Sequence, residues 1–171
     1  MCHHLLFFDV PFEQHAEEIY TNPKWPTNPL FYANVSSVTD ASVAPDGCDT
    51  LFLLVPVAAG LEGDDEMLRK KYLDVVVKRM EKRTGQNISE SIIFSKSFSV
   101  SDFVHDYNAY RGNAYGLANT LMQTAIFKPS CRSRNVKNLF YAGQLTVPGP
   151  GVPPAIISGE VAANEVLKSF R

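Results

Sequence analysis

The chain has 171 residues, 45% of them hydrophobic and 20% charged, with a formal net charge of −2. That is enough apolar material for a globular unit with its own core, and no overall charge excess marks a nucleic-acid binder or a partner of anionic surfaces. Three unevenly spaced cysteines, Cys2, Cys48 and Cys131, give neither a disulfide framework nor a metal-ligand pattern, so a reducing, cytoplasmic setting is expected. The N-terminus lacks the basic region of a signal peptide. No apolar stretch is long enough to cross a bilayer, which leaves peripheral membrane contact open.

In chain order, the apolar run 5–10 ends at Pro11 and predicts a buried strand. Phe12, Ala16, Ile19 and Tyr20 then share one face of a short helix. The prolines of 21–29 predict a loop. Residues 30–35 and 50–57 predict an antiparallel pair joined by turn chemistry around Asp46-Gly47. Residues 64–83 carry the clearest helix pattern, with Leu68, Tyr72, Val75, Val76 and Met80 on one face. Acids crowd its first turn, Lys82 and Arg83 its last, and Gly85 follows as a stop. Residues 91–97 predict a further strand in the same sheet, followed by a short helical turn capped by Ser99 or Ser101. The Asn-, Tyr- and Gly-rich stretch 108–130 has no steady period, as in segments that line or wrap a surface. Residues 138–170 predict strand, loop and helix, the helix starting near Val152 or Pro153 with Ile156, Gly159, Ala163 and Val166 along its buried stripe. The mixture is α+β.

The last loop carries the chemistry. Amides at a helix start point outward with partial positive charge, and Gly149 and Gly151 permit close backbone approach. This is not a full dinucleotide fingerprint, because Pro154 stands at the third glycine position. On the residues alone, a ligand-binding loop and a plain tight turn stand level. Elsewhere the bland readings serve. Adjacent His3 and His4 would point to opposite faces of a strand and do not form a metal pair. His15 and His105 read as surface groups. Asp102, Asp106 and Arg111 fit helix caps and salt bridges as well as proton handling. Tyr107, Tyr110 and Tyr115 suit an apolar substrate channel, or a packed core or interface, equally.

Four stretches carry a family resemblance: "HHLLFFD", "FYANVSSVTDASVAPDG", "NAYRGNAYGLANTLMQTAIFKP" and "NLFYAGQLTVPGPGVPPAIISGEVAA". Their order and spacing resemble the C-terminal part of bacterial and fungal phytoene desaturases, FAD-dependent carotenoid desaturases of the flavin amine-oxidase superfamily. The resemblance implies that residues 1–127 are a substrate-side α+β portion built on a mixed sheet with packed helices. It makes 128–171 the closing strand–loop–helix of a Rossmann-like FAD domain, whose N-terminal dinucleotide-binding part would be absent. Gly143, Gln144, Pro148, Gly149, Pro150, Gly151, Val152 and Pro153 would then be cofactor-binding, with amides near Gly151 and Val152 facing the flavin N1 and O2 edge. Gln144 stands where many members carry an acid. The implied substrate is phytoene or a related carotenoid, with no nucleic acid involved. The implied location of the parent enzyme is cytoplasmic and peripheral to the membrane. No side chain is assigned as the catalytic base. The isolated chain is expected neither to desaturate phytoene nor to retain FAD. The alternatives are a non-catalytic folded fragment without flavin and a related flavin-type carotenoid isomerase or saturase.

Overall fold

The computed structural model describes residues 2–118, 120–124 and 127–170; Asn119, Ala125 and Ile126 of the third resemblance motif lie outside the described residues. The chain divides into two compact units, Met1–Asn113 and Ala114–Arg171. Together they carry a mixed α+β content: one three-stranded antiparallel sheet and four α-helices among the described residues.

In the first unit, β1 (His4–Phe7), β2 (Phe31–Val35) and β3 (Leu51–Leu54) lie in that order in the sheet. The register pairs Phe7 with Phe31 and Ala33 with Leu53. Alternation then sends Leu5, Phe7, Phe31, Ala33 and Leu53 to one face and His4, Leu6, Tyr32, Asn34 and Phe52 to the other. The first face meets helix α2 (Glu66–Thr84), whose Val76 and Met80 complete a core with Phe7, Phe31 and Ala33. Burying each such large apolar side chain contributes about 1.5–3 kcal/mol.

The α2 boundaries follow from its ends. Asp65 caps the N-terminus by accepting the Leu68 amide at 2.7 Å, and Gly85 ends the helix at φ 69°. Of the expected face, Val76 and Met80 are buried and Leu68, Tyr72 and Val75 half-buried; Val77 joins the buried set. Burial pushes the Tyr72 phenol up to about 12, helped by the charge of Glu18, while its hydroxyl donates to the Pro26 carbonyl.

Three expectations fail here. Residues 91–97 form no strand: a 3₁₀ turn at Ser89–Ser91 leads into an extended stretch whose Ile93 and Phe94 are 86% and 80% exposed. The third place in the sheet belongs to β1, the N-terminal strand. Helix α1 (Phe12–Tyr20) does not bury Phe12 and Tyr20, which are exposed; it buries His15 and Glu18. His15 is therefore no surface group. Its Nδ1 accepts the Leu30 amide at 3.0 Å and its Nε2–H donates to the Pro56 carbonyl at 2.8 Å, so both nitrogens are satisfied. Glu18 is held by the amide and hydroxyl of Thr27 and by Lys24.

Helix α3 (Val100–Tyr107) starts at Ser99, whose amide donates to the Asp102 carboxylate. Asp102 and Asp64 both pair with Arg69, and Ser101 donates its amide and hydroxyl to Asp64. The α2 and α3 starts are thereby tied. The two Arg69 hydrogen bonds lower Asp64 to about 2, against the opposing effect of burial, and the Ser101 amide adds to the depression. A depressed carboxylate contributes stability above its unfolded value of 3.8, and this is lost as pH falls toward about 2. Expected, then, is an acid loss of about 2 kcal/mol between those limits that Asp64→Asn no longer shows, read by urea unfolding at successive pH values. Equal acid sensitivity in both proteins would refute the assignment.

In the second unit, helix α4 (Val152–Ser169) starts where the proline placement predicts. Its buried positions are Ser158 and Ala162, and Ile156 of the expected stripe is 71% exposed. The expected strand at 138–143 is reduced to one bridge, Arg132 with Phe140, flanked by Tyr141 N–H to Cys131 O and Ser133 N–H to Leu139 O. The described residues offer it no second partner strand, so no ladder extends.

Candidate functional site

The site is the loop 143–151 and the start of α4, and its shape comes from side chains beneath it. The Gly143 amide donates to Ser158 Oγ at 2.6 Å, and that hydroxyl donates to the Ala155 carbonyl at 2.6 Å. Ser158 is fully buried. Thr146 Oγ1 donates to the Gly143 carbonyl at 3.0 Å. The buried Cys131 thiol lies 3.6 Å from the Val147 carbonyl, 3.7 Å from Thr146 Oγ1 and 3.8 Å from the Ser158 carbonyl. Val147 N–H reaches the Pro129 carbonyl. The loop is thus fastened to α4 and to the 129–131 segment, and is not a free excursion. Sequence reasoning missed Cys131, Thr146 and Ser158, since a serine inside a helix and a lone cysteine carry no local signal of contact with a loop.

Further along, Gly149 is buried at φ 136°, and a Cβ there would lie 2.9 Å from Lys128 Cε. Lys128 is 7% exposed. Gly151, the N-cap at φ 113°, has no side-chain cap. Its carbonyl accepts the Ala155 amide, which starts the helix ladder. Pro153 and Pro154 have no N–H to offer. The amides of Gly151 and Val152 have no hydrogen-bond acceptor among the described residues. Val152 is 75% exposed, so these donors lie at the surface. Two free amides at the positive end of an 18-residue helix favour a partly negative ligand edge.

Gln144 donates its Nε2–H to the Ala114 carbonyl at 2.9 Å. Pro148 is exposed and follows a cis peptide bond, and Pro150 is half-buried. None of the three tyrosines is buried. Tyr107, 70% exposed, sits edge-to-face with Phe98 and tilted against Phe103 on α3. Tyr110 in the first unit and Tyr115 in the second are also exposed. Exposure removes the packed-core reading for all three. Asp102 and Arg111 serve structure: Asp102 caps α3, and the Arg111 side chain covers Gly60, whose amide donates to the Arg111 carbonyl. Asp106 accepts from His105, raising its imidazole by hydrogen bonding and charge on the surface. His3 and His4 do not point to opposite faces as expected: His3 precedes β1 and the two rings lie 4.2 Å apart, while their Nδ1 atoms reach Thr39 Oγ1 and the Tyr32 hydroxyl. No cluster of three potential metal ligands occurs among the described residues.

The donor set fits a flavin in two respects. Its free amides suit the edge of the ring that becomes electron-rich on reduction, and the glycine at 151 leaves no side chain between backbone and ligand. Comparison with known proteins identifies the family. The model described as flavin containing amine oxidoreductase matches residues 5–167. A carotenoid 3,4-desaturase of Haloarcula japonica is 43% identical over 168 residues, covering 98% of this chain and 34% of that protein. A 4,4'-diapophytoene desaturase (4,4'-diaponeurosporene-forming) of Staphylococcus aureus strain Newman is 30% identical over 173 residues, with 98% and 34% covered. The chain spans about a third of the length of the curated relatives it matches. With matched residues running from the first strand to the last helix, the chain belongs to the flavin containing amine oxidoreductase family.

Proposed function

We propose that this chain is the C-terminal part of an FAD-dependent carotenoid desaturase, an oxidoreductase of carotenoid biosynthesis acting on phytoene or a related C40 polyene. The observation that carries the cofactor assignment is the uncapped start of α4, where the amides of Gly151 and Val152 face solvent from a loop fastened by Ser158 and Thr146. The desaturase activities of its relatives support the substrate class. In this reading residues 128–171 close a Rossmann-like FAD domain, and residues 1–127 belong to the substrate side. The parent enzyme is cytoplasmic and touches the membrane from one side.

When bound, the flavin supplies the acceptor for the hydrogen removed from a saturated C–C bond. The residues of this chain orient it. Gly151 and Val152 donate hydrogen bonds to its electron-rich edge, each worth about 1 kcal/mol net and more where charge develops. Gly149 keeps the loop backbone close to the Lys128 stem. The exposed rings of Tyr107 and Tyr110 in the first unit, and separately of Tyr115 in the second, each offer apolar surface to a hydrocarbon that has no polar handle.

The test is a chimera: the Haloarcula japonica enzyme with its matched segment replaced by this chain, purified with and without Gly151→Val. Valine is strained at φ 113° and places a branched side chain beside the two donors, so flavin content read from visible absorbance should fall at least about tenfold. The unsubstituted chimera should extend the conjugation of phytoene, seen as a red-shifted polyene spectrum. A changed polyene spectrum without added conjugation would favour the isomerase. An unaffected Gly151→Val chimera would remove the loop from the flavin site.

A further inference from the structure

We propose that the Tyr32 hydroxyl takes the proton released in desaturation and hands its own to His4, on a sheet face that lies against the polyene. The face opposite α2 carries two rows of side chains across the three strands: His4, Asn34 and Phe52 in one, Leu6, Tyr32 and Leu54 in the next. Leu6 and Phe52 are 69% and 54% exposed, and Leu54 is half-buried. Within this apolar field three polar groups bond to one another. Asn34 Nδ2 donates to the Tyr32 oxygen at 3.1 Å and lies 3.2 Å from His4 Nδ1, which accepts its other hydrogen. With its oxygen accepting from Asn34, Tyr32 donates to His4 Nδ1 at 2.6 Å. The imidazole hydrogen therefore sits on Nε2, and the His4 side chain is exposed.

The inference rests on the desaturase reading. Desaturation takes two hydrogens from adjacent carbons. One leaves with its bonding electron pair for the flavin of that reading, and its carbon is left electron-deficient. The electron pair of the neighbouring C–H bond then forms the C=C bond, and that hydrogen leaves as a proton. Beside an electron-deficient centre a C–H bond is acidic enough for a weak base. The Tyr32 oxygen accepts this proton as its own hydrogen moves to His4 Nδ1, so the hydroxyl is regenerated in the same step. The charge ends on an exposed imidazolium, which returns a proton to water. Asn34 positions the phenol for the transfer. This face suits a hydrocarbon better than a protein partner. The Tyr32 hydroxyl and the Asn34 amide nitrogen are engaged with each other and with His4, so a hydrocarbon covers them without stranding either donor. A protein would bring polar groups that find few open partners here.

The experiment has two arms. Nitrogen NMR of neutral His4 in the 171-residue chain should show its hydrogen on Nε2 and none on Nδ1. Hydrogen on Nδ1 would overturn the proposal, because Tyr32 could not then pass its own proton on. The second arm is the flavin-loaded Haloarcula chimera acting on detergent-dispersed phytoene. Tyr32→Phe keeps the ring and loses only the hydroxyl. It should lower kcat by a factor on the order of 100, with flavin content and KM unchanged. His4→Ala should lower kcat as well, and added imidazole should restore part of it, which a merely structural role would not allow. An unchanged kcat in Tyr32→Phe would overturn the proposal, as would a raised KM with kcat intact, which would leave Tyr32 as wall alone. A His4→Ala variant indifferent to imidazole would remove His4 from the transfer and overturn it too. So would a chimera dimer that Leu6→Asp separates, which would put a second copy on this face. A flavin-loaded chimera that leaves phytoene untouched would overturn the desaturase reading and this assignment together. An active chimera with an unaffected Tyr32→Phe variant would overturn this assignment alone.

Discussion

Met80→Ala is expected to destabilise the first unit by about 3 kcal/mol, within the roughly 2–5 kcal/mol range for truncating a large buried side chain to alanine. Met80 has no exposed surface and packs among Phe7, Phe31, Ala33 and Val76, the contacts that join α2 to the sheet. Alanine removes the dispersion contacts and leaves a cavity against a sheet that cannot collapse around it. Met67→Ala, on the exposed face of the same helix, should change stability by less than about 0.5 kcal/mol. Urea unfolding followed by far-UV circular dichroism reads both. Equal effects at the two positions would mean that α2 does not pack as described. The Arg79 guanidinium, paired with Asp9 and lying 5.0 Å from the Phe31 ring centroid, covers the same contact from its edge.

The second large effect falls on the loop that precedes α4. Ser158→Ala removes the acceptor of the Gly143 amide and a donor to the Ala155 carbonyl in one substitution. Leaving a buried amide without a partner costs about 1–3 kcal/mol. The cost should be local: faster hydrogen exchange at Gly143 and its neighbours, with the first unit unchanged. In the flavin-binding chimera, the same substitution should lower flavin retention without touching either free amide at Gly151 and Val152. Normal exchange at Gly143 would show that Ser158 does not hold the loop. Faster exchange with normal flavin retention would show that the loop need not be fixed to bind.

Features settled between near neighbours in the chain were legible from residue order alone. Gly85 ends α2 as its position in the chain announces, while Asp65, expected within the first turn, is the cap that starts the helix at Glu66. The paired prolines put the start of α4 at Val152 because missing N–H groups cost nothing there. Alternation and the Asp46-Gly47 turn signal made β2 and β3 an antiparallel pair. The glycines at 149 and 151 take the positive φ that a tight loop there demands, which is a local requirement. Which elements meet, and which polar groups go inside, emerged only in three dimensions. Residues 91–97 read as apolar enough for a strand, yet β1 took the sheet edge, and nothing in either run by itself ranks one partner above the other. His15 and Glu18 look like surface groups in a polar helix. They are buried because Leu30, Pro56 and Thr27, brought back by the chain, satisfy them. Ile156 fits the apolar stripe of α4, but Ser158 faces inward because the Gly143 amide needs an acceptor there. A buried donor or acceptor must find a partner wherever the fold offers one, and such partners, distant along the chain, leave no period in the sequence.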